Sequence, residues 1–171
     1  MKLNLGCGHR KMDGFVNVDC ADYCGADSVV DLSVFPWPWR DAIADVIHAR
    51  MWLEHVRDFR KTWRELYRVL KPGGVLRVVV PHFRSAGFAW PDEHLHQFSL
   101  VTFSSESRLL FADEYAMTRR MYETVSLRHV SESPAAALFE RIANIRPMAW
   151  ESLNLPVADI EWVGLKVDGA L

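Results

Sequence analysis

A long amphipathic segment, followed by a glycine pair and an apolar run, constrains the fold of this chain more than any other feature. Five apolar residues recur at helical spacing from about residue 57: Phe59, Trp63, Leu66, Tyr67 and Leu70. The Lys-Pro-Gly-Gly sequence at 71–74 ends that helix. Residues 75–80 are β-branched and almost continuously apolar, which is typical of a central parallel strand covered on both faces. A helix joined to such a strand predicts a right-handed crossover in a parallel sheet, with ligands at the carboxyl ends of the strands.

Hydrophobic periodicity along the rest of the chain is consistent with one α/β domain. Short strands are predicted at 2–5, 15–19, 27–31 and 45–48, and later elements at 121–130 (strand), 134–144 (helix) and 160–167 (strand). The chain has 171 residues, half of them hydrophobic, which suits a single core. We therefore predict one domain over residues 1–171.

Charge, apolar runs and cysteine spacing exclude several classes of function. The formal charge of -2 gives no overall basic surface, so a nucleic-acid partner is not expected, although a local basic patch and methylation of nucleic acid or protein stay open. No apolar run approaches the roughly 20 residues of a membrane span, and the N-terminus lacks a secretory signal pattern, which predicts a cytoplasmic protein. The three cysteines have no paired CxxC spacing, and the HxH pair at 94–96 beside Asp92 and Glu93 has a spacing that is common by chance. No metal site is predicted.

The sharpest local signal is a strand, residues 3–5, that runs directly into Gly6 and Gly8, because glycines let a ligand approach the backbone. Asp19 ends the next strand, where a carboxylate can accept both hydroxyls of a ribose. A tight turn with a solvent-facing aspartate explains these two features equally well. A dinucleotide fingerprint would need a third glycine where Lys11 stands, and only residues 9–14 separate the turn from the next strand. A ligand with a ribose but no phosphate therefore fits better than NAD, and S-adenosylmethionine is such a ligand.

Over roughly residues 2–104 the sequence resembles the class I S-adenosylmethionine-dependent methyltransferases. Segments similar to the family's motifs occur in the family's order: 3–8, 17–19, 30–32 with 35–37, 53–55 (Leu-Glu-His) and 70–74 (Leu-Lys-Pro-Gly-Gly). The last two are the most specific. The resemblance implies a single-domain Rossmann-like methyltransferase fold, with a mostly parallel central sheet, helices on both faces and an antiparallel C-terminal strand.

The resemblance also implies S-adenosylmethionine as cofactor and a set of residues that bind it: Gly6, Cys7, Gly8, Asp19, Asp31, Leu32 and His48. The glycine turn would pass beneath the methionine portion and the ribose, Asp19 would hold the ribose hydroxyls, and Asp31 with the Leu32 amide would meet adenine. His48 opens the loop after the fourth strand, near the sulfonium. His9 or Arg10 stands where many members have another glycine, so different residues are expected to hold the methionine carboxylate.

A finer resemblance concerns the acceptor side. The abbreviated first helix, with His82 and Phe83 after the fifth strand, is most similar to a compact subgroup associated with carbohydrate or cell-surface biosynthesis. Four residues resemble that subgroup's Pro-Thr-His-x-Arg-x-Phe-Thr-like stretch: Pro91, His94, Phe98 and Ser99. An extra residue precedes His94, and His96 stands where arginine is usual. The predicted acceptor is a small molecule or a glycan, and the oligomeric state is left open.

Two histidines are the predicted catalytic residues. His82 and His94 follow the fifth strand, where an imidazole could remove the proton of an acceptor hydroxyl. Each could instead position its loop. Residues 82–115 are predicted to form a lid over the acceptor. The predicted function is O-methylation of a hydroxyl, and the alternative is a non-catalytic S-adenosylmethionine-binding module with a regulatory or scaffold role.

Other residues near the predicted site have open roles. Glu54 and His55 flank it, but an acid before the long helix also favours the positive N-terminal end of that helix, so a structural role is expected for Glu54. Four tryptophans are candidates for stacking on adenine or a sugar, or for core packing: Trp37, Trp39, Trp52 and Trp90.

Overall fold

A computed structural model describes residues 1–85, 93–103, 121–130, 137–147, 149 and 159–168. Its seven strands form one sheet in the order β3-β2-β1-β4-β5-β7-β6. They are β1 (Lys2–Leu5), β2 (Val16–Asp19), β3 (Ser28–Val29), β4 (Ala44–Arg50), β5 (Leu70–Pro81), β6 (Tyr122–Val130) and β7 (Asp159–Lys166). Strands β1 to β5 pair in parallel, and β7 pairs antiparallel with both β5 and β6. The predicted Rossmann-like, mostly parallel sheet with an antiparallel C-terminal strand is confirmed.

The predicted long helix is α1 (Phe59–Val69), which leads directly into β5. Asp58 caps its N-terminus by accepting a hydrogen bond from the Lys61 amide at 3.0 Å. Trp63, Leu66 and Val69 on one side of α1 are buried. Two shorter helices are described, α2 (Leu100–Phe103) and α3 (Ala137–Ala143). Among the described residues, no helix has the length and apolar character needed to cross a membrane.

The two faces of the sheet differ in chemistry. One face carries Leu3, Ile47, Leu76 and Trp162, all fully buried, and α1 packs on that side through ring contacts such as Trp63 with Trp162 at 5.6 Å. The opposite face, called the polar face below, carries polar side chains together with some valines such as Val79. Five of these polar residues are Asn4, Asn17, His48, Arg77 and Glu161. The prediction that residues 75–80 are covered on both faces is therefore wrong for Arg77, which is exposed and pairs with Glu161.

The connection between β1 and β2, residues 6–15, contains turns and no helix. Side chains from the polar face hold it instead. The Asn4 Nδ2 group donates to the Arg10 carbonyl at 3.0 Å and to Asn17 Oδ1 at 2.9 Å, and the Met12 amide donates to the same Asn17 oxygen at 2.8 Å. The loop that replaces the usual helix is thus fixed by two buried asparagines.

Candidate functional site

A cavity of about 400 Å³ opens at the carboxyl ends of β1, β2 and β3 and extends to the start of α1. Four of the predicted cofactor residues line it: Gly6, Asp19, Asp31 and Leu32. Residues that sequence reasoning gave other roles also line it, among them Phe35, Trp52, His55, Arg57 and Thr62. The parallel strand order brings these segments together, because β1 lies between β2 and β4.

Asp19 faces the cavity and also holds the glycine turn. Its Oδ2 atom accepts a hydrogen bond from the Gly8 amide at 2.8 Å, and its Oδ1 atom accepts one from the Ala21 amide at 3.0 Å. Gly8 has a φ of 47°, in the left-handed region, and nothing lies within 4 Å of the position where a Cβ would stand. The turn therefore presents an open backbone surface beside a fixed carboxylate.

Asp31 and Leu32 form the outer wall. The Asp31 Oδ1 atom accepts hydrogen bonds from the Ser33 hydroxyl at 2.6 Å and the Ser33 amide at 2.9 Å, which lower the pKa of this exposed carboxyl. Leu32 is buried, and its carbonyl accepts a hydrogen bond from Trp37 Nε1 at 3.0 Å. The wall is thus a short hydrogen-bonded turn over a tryptophan.

Trp52 covers Gly6. A Cβ added to Gly6, whose φ is 61°, would lie 2.5 Å from Trp52 Cγ, so only glycine fits beneath this indole. Met51, just before it, also has a positive φ, 48°, which turns the chain sharply at the end of β4. Of the four tryptophans considered from the sequence, Trp52 lines the cavity, whereas Trp90 lies outside the described residues.

Cys7 and His48 lie away from this cavity. The Cys7 amide donates to the Val18 carbonyl at 3.0 Å, and burial, the largest cause, raises the pKa of its thiol to about 11. Strand β4 runs two residues past its predicted end, so His48 lies inside the strand and not in the following loop. It lines a second cavity of about 730 Å³ on the polar face, with Arg50 and Arg77 and with the glycine turn, Gly6, Cys7 and Gly8. Burial and those two arginines lower the pKa of His48 to about 4.

Residues 95 and 96 of the predicted lid are bonded to the turn after β4. In this turn, residues 53–56, the Glu54 carbonyl accepts hydrogen bonds from the Leu95 amide at 2.7 Å and the His96 amide at 3.3 Å. The ring Nε2 of His96 lies 2.6 Å from the Val56 carbonyl oxygen. Residues 86–92 and 104–115 of the predicted lid lie outside the described residues.

These bonds gather three titratable side chains. Glu54 is 1% exposed, and burial raises the pKa of its carboxyl to about 7. Its Oε1 atom is 4.0 Å from Nε2 of His55, and the rings of His55 and His94 are 4.8 Å apart. Burial, with a smaller contribution from His94, lowers the pKa of His55. The Leu-Glu-His motif was visible in the sequence, but nothing in it indicated that residue 94 would lie beside this motif.

His82, the other predicted base, lies elsewhere. It is fully buried, its Nδ1 atom accepts a hydrogen bond from the Arg84 amide at 3.1 Å, and its ring lies 6.0 Å from that of His129. Among the described residues it lines neither of the two cavities above.

Comparisons with known proteins agree with the fold. Residues 3–78 match a family model described as a methyltransferase domain. An S-adenosylmethionine-dependent methyltransferase from Mesorhizobium loti is similar over 96% of this chain and 89% of its own, with a TM-score of 0.58 and 14% identity. A second similar structure is a chain in the complex between the Haloferax volcanii Trm112 methyltransferase activator and a methyltransferase. Its TM-score is 0.60 at 16% identity, over 97% of this chain and 82% of its own.

A third similar structure contains the expected cofactor. Phosphoethanolamine N-methyltransferase 2 of Haemonchus contortus, in complex with S-adenosyl-L-methionine, gives a TM-score of 0.56 at 14% identity, over 98% of this chain and 48% of its own. No curated protein sequence matches the chain. Residues 3–78 thus match a methyltransferase domain, and the chain shares the fold of these methyltransferase structures.

Proposed function

We propose that this protein transfers the methyl group of S-adenosylmethionine to a hydroxyl of a small molecule or glycan. The observation that carries the proposal is the cavity at the strand ends, which has the ribose-type acid Asp19 on one wall and His55, next to His94, on another. A single cavity thus offers a place for the cofactor and an adjoining place for an acceptor.

The cofactor would lie with its ribose on Asp19 and its adenine against the 31–33 turn. Asp19 has oxygen lone pairs beyond those used by the Gly8 and Ala21 amides, so it can accept from ribose hydroxyls while it holds the turn. Trp52 and Phe35 supply flat apolar surface in the same cavity. The methionine portion would then extend past Gly6 towards His55.

The chemistry asks mainly for alignment. An acceptor oxygen attacks the methyl carbon, an O–C bond forms, the S–C bond breaks with its electron pair going to sulfur, and the hydroxyl proton leaves. Holding the two reactants in line provides effective molarities of roughly 10⁵ to 10⁸ M, so positioning contributes most of the acceleration. Of the two histidines predicted as the proton acceptor, His94 adjoins the cavity through His55, and the burial of His82 favours a positioning role for it.

The glycan class and the link to cell-surface biosynthesis rest on the sequence resemblance of residues 82–99, and cytoplasmic localisation also remains a prediction. The proposed function is tested in two steps. The purified chain is titrated calorimetrically with S-adenosylmethionine and S-adenosylhomocysteine, and binding of both is expected. Cell-extract fractions are then incubated with the chain and methyl-labelled cofactor, and the methylated product is identified.

A folded sample that gives no heat with either ligand would refute the cofactor assignment. Binding without transfer to any compound would instead favour the non-catalytic S-adenosylmethionine-binding module.

A further inference from the structure

Three potential metal ligands meet where the 53–56 turn and the 93–98 segment are joined. They are Glu54, His55 and His94, and one ligand atom from each lies within 4.8 Å of the other two. We propose that these three side chains bind a divalent transition-metal ion beside the cofactor cavity. The sequence predicted no metal site, because only the local His94–His96 pattern was considered; the Glu-His pair lies about 40 residues away in the chain.

The buried carboxylate is the first argument. Glu54 is 1% exposed, and among the described residues its Oε2 atom has no hydrogen-bond partner. Its Oε1 atom is 4.0 Å from His55 Nε2, which is too far for a hydrogen bond. Two other charges act on it with opposite signs, Asp159 and Arg50. A buried carboxylate without a close cation is strongly unfavourable, and a bound metal ion would supply that cation.

The donor set is the second argument. Two imidazoles and one carboxylate are the ligands found in catalytic zinc sites and in several other transition-metal sites. Around an ion at about 2.0 to 2.2 Å from each ligand, tetrahedral geometry places ligand atoms about 3.4 Å apart. The observed separations of up to 4.8 Å close to this value if the half-buried imidazoles of His55 and His94 turn inward.

The backbone is already arranged for such a site. The Leu95 and His96 amides both donate to the Glu54 carbonyl, and the His96 ring contacts the Val56 carbonyl. These bonds fix the backbone next to His94 at Leu95 and next to His55 at Val56, so metal binding would need only rotation of side chains. Three protein ligands also leave at least one coordination position open. His55 lines the cofactor cavity, so the ion would lie at the edge of that cavity.

The role of the metal rests on the proposed function. A hydroxyl oxygen bound to the ion would lose its proton more readily, and that proton would pass to water. The oxygen would then form the O–C bond as the S–C bond breaks and its electron pair goes to sulfur. In this proposal His94 binds the metal ion, and the ion rather than His94 promotes loss of the hydroxyl proton.

Cobalt(II) is the best probe, because its visible spectrum reports ligand number and type. The full chain is dialysed against a chelator, returned to chelator-free buffer and titrated with Co²⁺. We expect one ion per chain, visible bands of four- or five-coordinate cobalt, and displacement by Zn²⁺. Glu54→Gln and His94→Asn should each weaken cobalt binding by roughly 100-fold. Each removes a direct ligand, and even residues that only contact the ligands cost up to about 100-fold in metal affinity when they are replaced. The exposed His9, on the glycine turn, provides the control His9→Asn, which should bind like the wild type.

Circular dichroism is measured on every variant to show that each is folded, and S-adenosylhomocysteine binding is measured separately. The proposal is overturned if the wild type binds neither Co²⁺ nor Zn²⁺ more tightly than about 1 mM, or if Glu54→Gln and His94→Asn bind as the wild type does. A strong near-ultraviolet thiolate band would also overturn it, since it would assign the ion to the other candidate cluster, Cys7, Asp19 and Cys24. Cobalt binding without S-adenosylhomocysteine binding would support this site and refute the proposed function, and the reverse result would do the opposite.

Discussion

Replacing Asp19 with asparagine is the most direct test of the cofactor site. The side chains have almost the same shape, but asparagine is neutral and offers one acceptor oxygen where aspartate offers two. In the structure the two carboxylate oxygens accept the Gly8 amide at 2.8 Å and the Ala21 amide at 3.0 Å. An asparagine NH₂ group would therefore face one of these N–H donors. At least one bond of the glycine turn would be lost, and with it the negative acceptor for the ribose.

The size of the effect follows from that loss. A hydrogen bond to a charged group contributes about 1.5 to 3 kcal/mol. Each hydrogen bond lost between residue 19 and the ribose should weaken binding of S-adenosylhomocysteine by roughly 10- to 150-fold, since about 1.4 kcal/mol corresponds to a factor of ten. S-adenosylhomocysteine is used because it has no methyl group to transfer, so the calorimetric heat reports binding alone.

Asp22→Asn is the matched control. Asp22 is exposed in the 3-10 turn at Asp22–Cys24, and the substitution removes the same charge from the same region without touching the cavity lining. It should bind S-adenosylhomocysteine as the wild type does. If folded Asp19→Asn binds within threefold of the wild type, Asp19 does not hold the ribose. If both variants weaken binding equally, the effect is a long-range one of net charge.

Three further outcomes are expected. Gly6→Ala should lower the melting temperature and abolish S-adenosylhomocysteine binding, because the new Cβ would lie 2.5 Å from Trp52 Cγ at a φ of 61°. Adding Trp52→Ala should restore part of the melting temperature. If it restores none, the clash is not the cause. Glu65 accepts a hydrogen bond from the Trp37 amide at 2.7 Å and pairs with Arg68. Glu65→Gln should therefore lower the free energy of unfolding in urea by about 2 to 3 kcal/mol, less than the loss of a fully buried pair because Arg68 is partly exposed. A change below about 0.5 kcal/mol would show that neither contact matters. The unfolded chain protonates His48 below about pH 6.5, and the folded chain does so only below about pH 4. The free energy of unfolding should therefore fall, by at most about 3 kcal/mol, as the pH drops through this window. His48→Gln should flatten this pH dependence, and an unchanged slope would exclude His48 as its cause.

Local patterns in the sequence predicted the elements but not how distant segments meet. Helix α1 and residues 75–80 of strand β5 were predictable because their periodicity is contained in one short stretch. The boundary between them was wrong, because Leu70 and residues 71–74 already belong to β5. The end of β4 was not, because Ala49 and Arg50 continue the strand without a turn residue to mark its limit. His48 was consequently assigned to a loop.

Contacts between side chains far apart in sequence were also out of reach. The glycine at position 6 was interpreted as space for a ligand, whereas the structure fills that space with the indole of Trp52, 46 positions later. In the same way, Glu54 was expected to favour the helix that follows it. Its proximity to His94 depends on hydrogen bonds between two loops, and no local pattern encodes those bonds.

The two asparagines beneath the glycine turn have a consequence for how the site can evolve or be redesigned. A helix at this place would act on a ligand through the summed dipole of its peptide groups, which no single substitution can remove. Here, Asn4 and Asn17 fix the loop through individual side-chain bonds. Each bond can be deleted or exchanged by one codon change, so the shape of this loop can be adjusted in small steps while the apolar face of the sheet keeps the fold intact.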